Sequence, residues 1–490
     1  MRLNVCSQSE ERDRALLRAK MRKKRPTIVF KNVITTKTKK MIFFFILCLS
    51  VFFWVRFGRR ENNSVAFFHP YCDAGGGGER VLWEAISAIS EKYPTRQIFI
   101  YTGDEASSKE ILSRAESRFN IKIENVTFIH LKYRWMVEAS TWPSFTLAGQ
   151  SAGSIFLAFE ALLKLNPEIV IDSMGYSFTY PLFWLFGCKV GCYIHYPTIS
   201  TDMLQKVSKR EADFNNSETI ANNSVLSSGK LLYYQHFSKI YAFCGNRSSV
   251  VMTNSSWTQN HLDQIWARKS AKIFPPCDVS AFTKLDSFPE IEQKRIPFQI
   301  MSLAQFRPEK NHKLQVEAFK QLYENPNLSS DRSKLSLIMA GGVRNPGDEA
   351  RVEELQSLIS AYGLEKAITI EKNISFERIV ELFETSSCGI HTMKDEHFGI
   401  TCVDFQASGT IAVGHDSAGP KEDIFVDYKG GPTGFLATDA KSFADSMEKI
   451  LLLPSEKKIK IQENARNSCK RFSSEQFKTD FLYATAKLFK

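Results

Sequence analysis

The sequence predicts an α/β fold: two doubly wound domains facing a cleft, with a hydrophobic anchor ahead of them. Three observations carry that prediction. A chain of 490 residues exceeds what one ordinary core supports, so two or three domains are expected. From residue 65 onward, short apolar runs ending in turn residues alternate with helical periodicity, the pattern of a parallel sheet covered by helices. Near the N-terminus, one continuous apolar run is bounded by cations.

The N-terminal segment holds the charge. Residues 1–60 contain 16 Lys and Arg against 3 Asp and Glu, so the formal +11 of the chain leaves −2 for the remaining 430 residues. The basicity therefore belongs to a leader, residues 1–40, expected to be disordered, and not to the folded body. No aromatic-interleaved basic stripe accompanies it, which argues against a nucleic-acid partner. Met41 to Val55 is apolar and lies between Lys39, Lys40 and Arg56, so a membrane anchor is expected at 41–57. The run is shorter than the roughly 20 residues of a full span. The long leader and the following "RFGRR" do not fit a cleaved signal peptide. A buried core helix is the alternative. The excess of cations on the N-terminal side would keep the N-terminus cytosolic and send the body across the membrane.

A first α/β domain is expected over residues 62–285. Its strands are "VAFFHPY", "QIFIYTG", "VTFIHL", "IVIDSMG", "KVGCYIHYP" and "SVVMTNSSW". The stretch 178–194 could pass for a membrane span, but Pro181, Gly187, Lys189 and Gly191 interrupt it. It reads as a buried helix and strand with a face that could touch lipid. The rhythm pauses at Pro275 and Pro276 and restarts with "FQIMSL", a helix over 312–323, "LSLIMAGG", "AITIEKNI", "CGIHTM" and "TIAVGH". A second domain is thus expected over 296–475, and a helix over 476–490 that packs back on the first. The ten cysteines are scattered; Cys188 and Cys192 lack the second pair that a zinc site needs, so buried thiols are expected.

Three stretches carry chemistry. In "AGGGGERVLWEAI" four glycines, Gly75 to Gly78, precede a helix. Each costs conformational entropy, so something must approach this backbone closely: an anion or sugar, or simply a tight turn. A third glycine of the dinucleotide fingerprint is missing, since Arg80 stands in its place. In "SLAQFRPEKNH" two cations, Arg307 and Lys310, follow a strand and suit a diphosphate, although a solvated basic loop looks the same. In "DEHFGITCVDFQASG" Glu396 precedes a Phe398–Gly399 turn, and Asp404 lies eight residues on, a little over two helical turns. Carboxylates accept hydrogen bonds from sugar hydroxyls. His195 ends the apolar run "YIHYP", where a satisfied core histidine is the plainer reading.

Glu396 to Asp404 resembles the E-x7-E signature of retaining GT-B glycosyltransferases, "FRPEKN" their phosphate loop and "AGPKE" their donor-sugar loop. "GGGGERVLWEAI", "SMGYSFTYPLFW", "GCYIHYPTISTDML", "MTNSSWTQNH", "FPPCDV" and "AQFRPEKNH" resemble, more closely, the GDP-mannose-dependent α-1,2-mannosyltransferases of the dolichol-linked oligosaccharide pathway. The resemblance spans about residues 62–490. It implies GDP-mannose as donor and a dolichol-linked oligosaccharide as acceptor. It also implies a body on the cytosolic face of the endoplasmic reticulum membrane, with membrane lipid and other mannosyltransferases of the pathway as partners. Arg307 and Lys310 would stabilise the leaving diphosphate, and Glu396 would hold donor-mannose hydroxyls. Asp404 would hold the ribose. Phe398, Gly399 and Ile400 would supply backbone contacts. His195 would lie near the reacting sugar, and Gly75, Gly76, Gly77 and Gly78 would line the cleft. No cofactor is implied, and no D-x-D pair occurs for a metal-bridged diphosphate.

Two positions depart from the family. Asp404 replaces the usual glutamate, and Gln305 stands where many relatives have arginine. They leave open a catalytically silent, membrane-tethered scaffold, and fold alone leaves open another donor or acceptor. Sequons at Asn125, Asn246, Asn254 and Asn373 bear on the side of the membrane, because a lumenal body would expose them to glycosylation.

Overall fold

The computed structural model describes residues 16, 27–209, 224–283 and 288–490. Residues 1–60 and 61–490 form separate compact units. In the first, a helix (α1, Thr27–Phe53) runs into a π-helical turn at Trp54–Gly58. It begins within the stretch expected as leader, and the rest of that leader lies largely outside the described residues. Lys40–Gly58 is long and apolar enough to cross a membrane.

The second unit contains two wholly parallel sheets. Seven strands lie in the order β3-β2-β1-β4-β5-β6-β7 and six in the order β10-β9-β8-β11-β12-β13. They are Arg60–Phe68, Gln97–Thr102, Val126–His130, Asn166–Asp172, Lys189–Ile194, Val250–Thr253 and Ala271–Lys272, then Ile296–Leu303, Ser336–Gly341, Ile368–Lys372, Ser386–His391, Ala412–His415 and Phe435–Ala437. The central strands are buried on both faces, which is why they read as continuous apolar runs. Two facing Rossmann-like halves result, the GT-B arrangement.

The helices that bear on the site are α2 (Gly77–Lys92), α3 (Thr146–Lys164), α4 (Tyr180–Leu185), α5 (Ser224–Gly245), α6 (Ser256–Trp266), α7 (His312–Tyr323), α8 (Ile400–Ser408) and α9 (Ser474–Thr485). The core of the first half packs Val81, Leu82, Trp83 and Ile86 of α2 against Val65, Phe67, Ile98 and Ile100 of the sheet. Helix α9 joins that core through Phe477 and Phe481, and Lys478 pairs with Glu91 of α2 at 2.6 Å. The stretch 178–194 forms α4 and β5, with Trp184 and Leu185 exposed. Among the described residues nine cysteines are free, eight of them buried.

Candidate active site

The candidate side chains sit on loops at the C-terminal ends of central strands. Strand order reverses between β1 and β4 in one sheet and between β8 and β11 in the other. Ligands of open α/β sheets bind outside the strand ends at such points. There the two halves enclose a cavity of about 1270 Å³.

The glycine loop leads from β1 into α2. Gly76 is the helix N-cap, and its N–H donates to the Glu79 carboxylate at 2.5 Å. Burial alone would raise that carboxyl, but His69 and the backbone N–H groups hold it below the usual range. Gly75 and Gly77 have a steric reason to be glycine, whereas Gly78 has room for a Cβ. Gly75 has φ +69°, and a Cβ there would lie 1.9 Å from the Arg118 guanidinium. A Cβ on Gly77 would lie 2.6 Å from Ile400 Cδ1 of the other half, and one on Gly78 would lie 3.6 Å from His195 Nε2. Gly76, Gly77 and Gly78 line the cavity, and Gly75 does not. It sits behind the loop against Arg118, where it is needed for the turn.

His195 follows β5 and lines the cavity. Its Nε2 lies 3.1 Å from the Ser173 carbonyl, so Nε2 carries the proton and Nδ1 is left as the acceptor. Burial and the neighbouring His69 lower its pKa to about 4, so the ring is neutral at pH 7. Ser173 belongs to a turn held by the buried Asp172, which accepts from Met174 N at 2.9 Å and Tyr180 Oη at 2.6 Å. Ser173 Oγ meets His69 Nδ1 at 2.8 Å. One turn after β4 therefore orients both histidines.

In the second half the loop after β8 ends at Asn311, φ +51°, which starts α7. The Thr392 hydroxyl is 3.0 Å from the carbonyls of Lys310 and Asn311 and fastens this loop to the end of β11. Lys310 Nζ lies 2.5 Å from Glu396 Oε2, and His391 Nε2 is 3.1 Å from the same oxygen. Burial would raise the Glu396 carboxyl; Lys310 and His391 more than offset it and hold it far below the carboxylate range. Arg307 lines the cavity without an ion pair among the described residues. Gly399, φ +103°, is the N-cap of α8, which has no side-chain cap, and Phe398, Gly399 and Ile400 line the cavity. A helix N-terminus of this kind offers N–H groups to an anion.

Asp404 is not among the lining residues. It lies a turn inside α8, where burial pushes its carboxyl up to about 7; Arg80 opposes this and Asp278 adds to it. Arg80 itself pairs with Asp278 at 3.5 Å. The carboxyl of Asp404 thus lies within electrostatic reach of Arg80 of α2 and of Asp278.

Sequence reasoning missed several residues here. His391 ends β11 as His195 follows β5, so the same signal, a histidine closing an apolar run, was available. His397 stacks on Tyr196 at 4.2 Å and on Trp257 at 5.3 Å, across the cleft. One residue before Trp257, Ser256 donates to Asp423 from N at 2.8 Å and from Oγ at 2.6 Å. Neither contact has a local sequence signature.

Two family models match the chain: "ALG11 mannosyltransferase N-terminus" over residues 62–266 and "Glycosyl transferases group 1" over 285–468. Curated relatives described as GDP-Man:Man(3)GlcNAc(2)-PP-Dol alpha-1,2-mannosyltransferase cover nearly all of it. The Xenopus laevis protein is 45% identical, over 95% of this chain and 97% of its own. The Mus musculus protein is 46% identical over 88% of each, and that of Dictyostelium discoideum 43% over 87% and 86%. The chain belongs to this mannosyltransferase family. The mannosyltransferase fold is shared with Anabaena Alr3699/HepE, solved with UDP and glucose (TM-score 0.57, 16% identity, 86% of this chain and 99% of that one). Sucrose-phosphate synthase of Thermosynechococcus elongatus is similar in the same way (TM-score 0.61, 16% identity, 87% and 99%).

Proposed function

We propose that the chain transfers mannose from GDP-mannose to Man3GlcNAc2-PP-dolichol, forming the α-1,2 bonds of the fourth and fifth mannoses with retention. One observation carries the reading: in a chain of this family, the glycine loop, His195, Arg307, Lys310 and Glu396 meet in one cavity between the two halves.

The chemistry follows from these groups. Leaving-group departure builds charge on the diphosphate. Arg307, Lys310 and the N-terminus of α8 stabilise it without reorganisation, the largest catalytic term expected. Glu396, kept ionised by Lys310 and His391, accepts hydrogen bonds from donor-mannose hydroxyls. Neutral His195 accepts one through Nδ1. Phe398, Gly399 and Ile400 supply backbone contacts, Gly76 to Gly78 admit the substrates, and Asp404 acts on the ribose through water. Retention proceeds by front-face attack, the departing phosphate taking the acceptor proton. Glu396 is already bound by two cationic or proton-donating partners, which disfavours it as a covalent nucleophile. Trapping a glycosyl–enzyme adduct would overturn this.

The apolar helix α1 supports membrane attachment. The body works on the cytosolic face of the endoplasmic reticulum, alongside other mannosyltransferases of the pathway. N-glycans on Asn125 or Asn254 would contradict that side. The test of function is a membrane assay with GDP-mannose and a lipid-linked trimannosyl chitobiose acceptor. Two added mannoses, removable by an α-1,2-specific mannosidase, are expected. A folded sample that transfers nothing from GDP-mannose overturns the reading in favour of another donor or a scaffold.

A further inference from the structure

The first half carries a surface that its own core does not use. On α3 the only exposed residues are Ala152, Ile155, Phe156 and, at the C-terminal end, Lys164; Phe145 just before the helix is also exposed. The helix is apolar enough to cross a membrane, yet 44% of it is packed inside the body. Trp184 and Leu185 project from α4, and Leu232, Ile240 and Phe243 from α5.

These patches are continuous. Phe145 and Tyr233 of α5 lie 5.7 Å apart, ring centre to ring centre. Arg247, just beyond α5, sits over Phe243 at 4.7 Å and over Trp184 at 5.0 Å, joining α5 to α4. Exposed side chains of this size and number on one face mark an interaction surface.

The charges say what it meets. Helices α4 and α5 contain no Asp or Glu. The one acid of α3, Glu160, is buried and accepts from Lys132 N at 2.8 Å. Lys164 pairs with that Glu160 at 2.9 Å, and Lys230, Lys239 and Arg247 flank the apolar residues. Aromatic and aliphatic side chains fringed by cations, with no exposed acid on these three helices, match the acyl–headgroup boundary of an anionic bilayer.

We propose that the α3–α4–α5 face docks the body on the surface of a lipid bilayer containing anionic lipid. The location has a use, which rests on the lipid-linked acceptor proposed above. The buried side of α3 helps line a pocket of about 200 Å³ through Leu147, Gln150, Ser151 and Ser154, and that pocket shares Tyr196 with the cleft. A bilayer against α3 lies beside the way an acceptor sugar enters while its lipid stays in the membrane.

The test uses the full chain in phosphatidylcholine–phosphatidylinositol vesicles with radiolabelled acyl chains. A photo-crosslinking p-benzoylphenylalanine replaces Phe156, Trp184 or Phe243, one at a time. Tyr483, 88% exposed on α9, is the control. Labelled lipid adducts at the first three positions and none at Tyr483 are expected. No lipid adduct at the three, equal labelling at Tyr483, or crosslinked dimers in place of lipid would overturn the proposal. This readout does not depend on transfer, so it stands even if the activity proves different. In an active sample, Phe156→Glu combined with Phe243→Glu should reduce transfer to the full-length lipid acceptor and spare a water-soluble short-chain analogue. Equal loss on both would also overturn it.

Discussion

Lys310 pairs with the Glu396 carboxylate, and in the proposed reaction it also meets the leaving diphosphate, so its loss should be felt in both. Lys310→Ala is expected to lower kcat by about 10²–10³-fold, the usual effect of removing one charge-stabilising donor. Radiolabelled mannose transfer, with folding checked by circular dichroism, measures it; a loss below tenfold would assign the diphosphate to Arg307 and α8 instead. Asp404 gives a gain in place of a loss. Restoring the longer side chain, Asp404→Glu, should lower KM for GDP-mannose by up to about fivefold, the roughly 1 kcal/mol between a water-mediated and a direct hydrogen bond. An unchanged KM would detach this position from the ribose and leave it to Arg80 and Asp278.

At the scale of elements, loop and helix termini meet so tightly that substitutions on one half can be answered on the other. Gly77→Ala places a methyl 2.6 Å from Ile400 Cδ1 and should impair transfer; adding Ile400→Val, which removes that methyl, should recover a large part of it. Non-recovery in the double variant would place the defect within the glycine loop. Helix α7 supplies a pH-dependent effect. His312, 6% exposed and stacked on Phe306 at 4.8 Å, has its pKa lowered to about 4 by burial, His391 and Lys310. Folding favours its neutral form, so its contribution is intact above pH 6.5 and is lost as pH falls from 6.5 towards 4. The loss is up to about 3 kcal/mol at 1.36 kcal/mol per unit. His312→Gln should flatten the fall of Tm over that interval; parallel Tm curves would refute the assignment. The bounds of α7 and the existence of the central strands were legible in the sequence, because apolar runs and turn residues are local signals. The three-residue β13 was not, since so few residues carry no period. Nor were the stack of His397 on Tyr196 or the pairing of Lys310 with Glu396, which arise only when separate strand ends are brought together.

For the whole molecule, the two halves are joined by a polar clamp as well as by the cleft. Asp423, 2% exposed, takes two hydrogen bonds from Ser256 at the start of α6 and lies 3.4 Å from Lys272. Asp423→Ala removes the acceptor of both Ser256 hydrogen bonds, while Lys272 keeps Ser256 Oγ at 2.7 Å, and should cost about 2 kcal/mol of stability. KM should rise for both donor and acceptor, because the clamp sets the spacing of the halves. A fall in Tm with unchanged KM values would make it a purely structural contact.

Asn254 closes β6 at the edge of the cleft, 5% exposed, its Oδ1 buried without a hydrogen-bond partner among the described residues. It is also the first residue of an Asn-Ser-Ser triplet. An oligosaccharide attached there during synthesis would have to fit where the two halves come together, so a modified chain could not close. The pathway's end product, covalently placed on this member of the pathway, would be its inhibitor. A body kept away from the glycan-transferring compartment needs no further protection from its own chemistry.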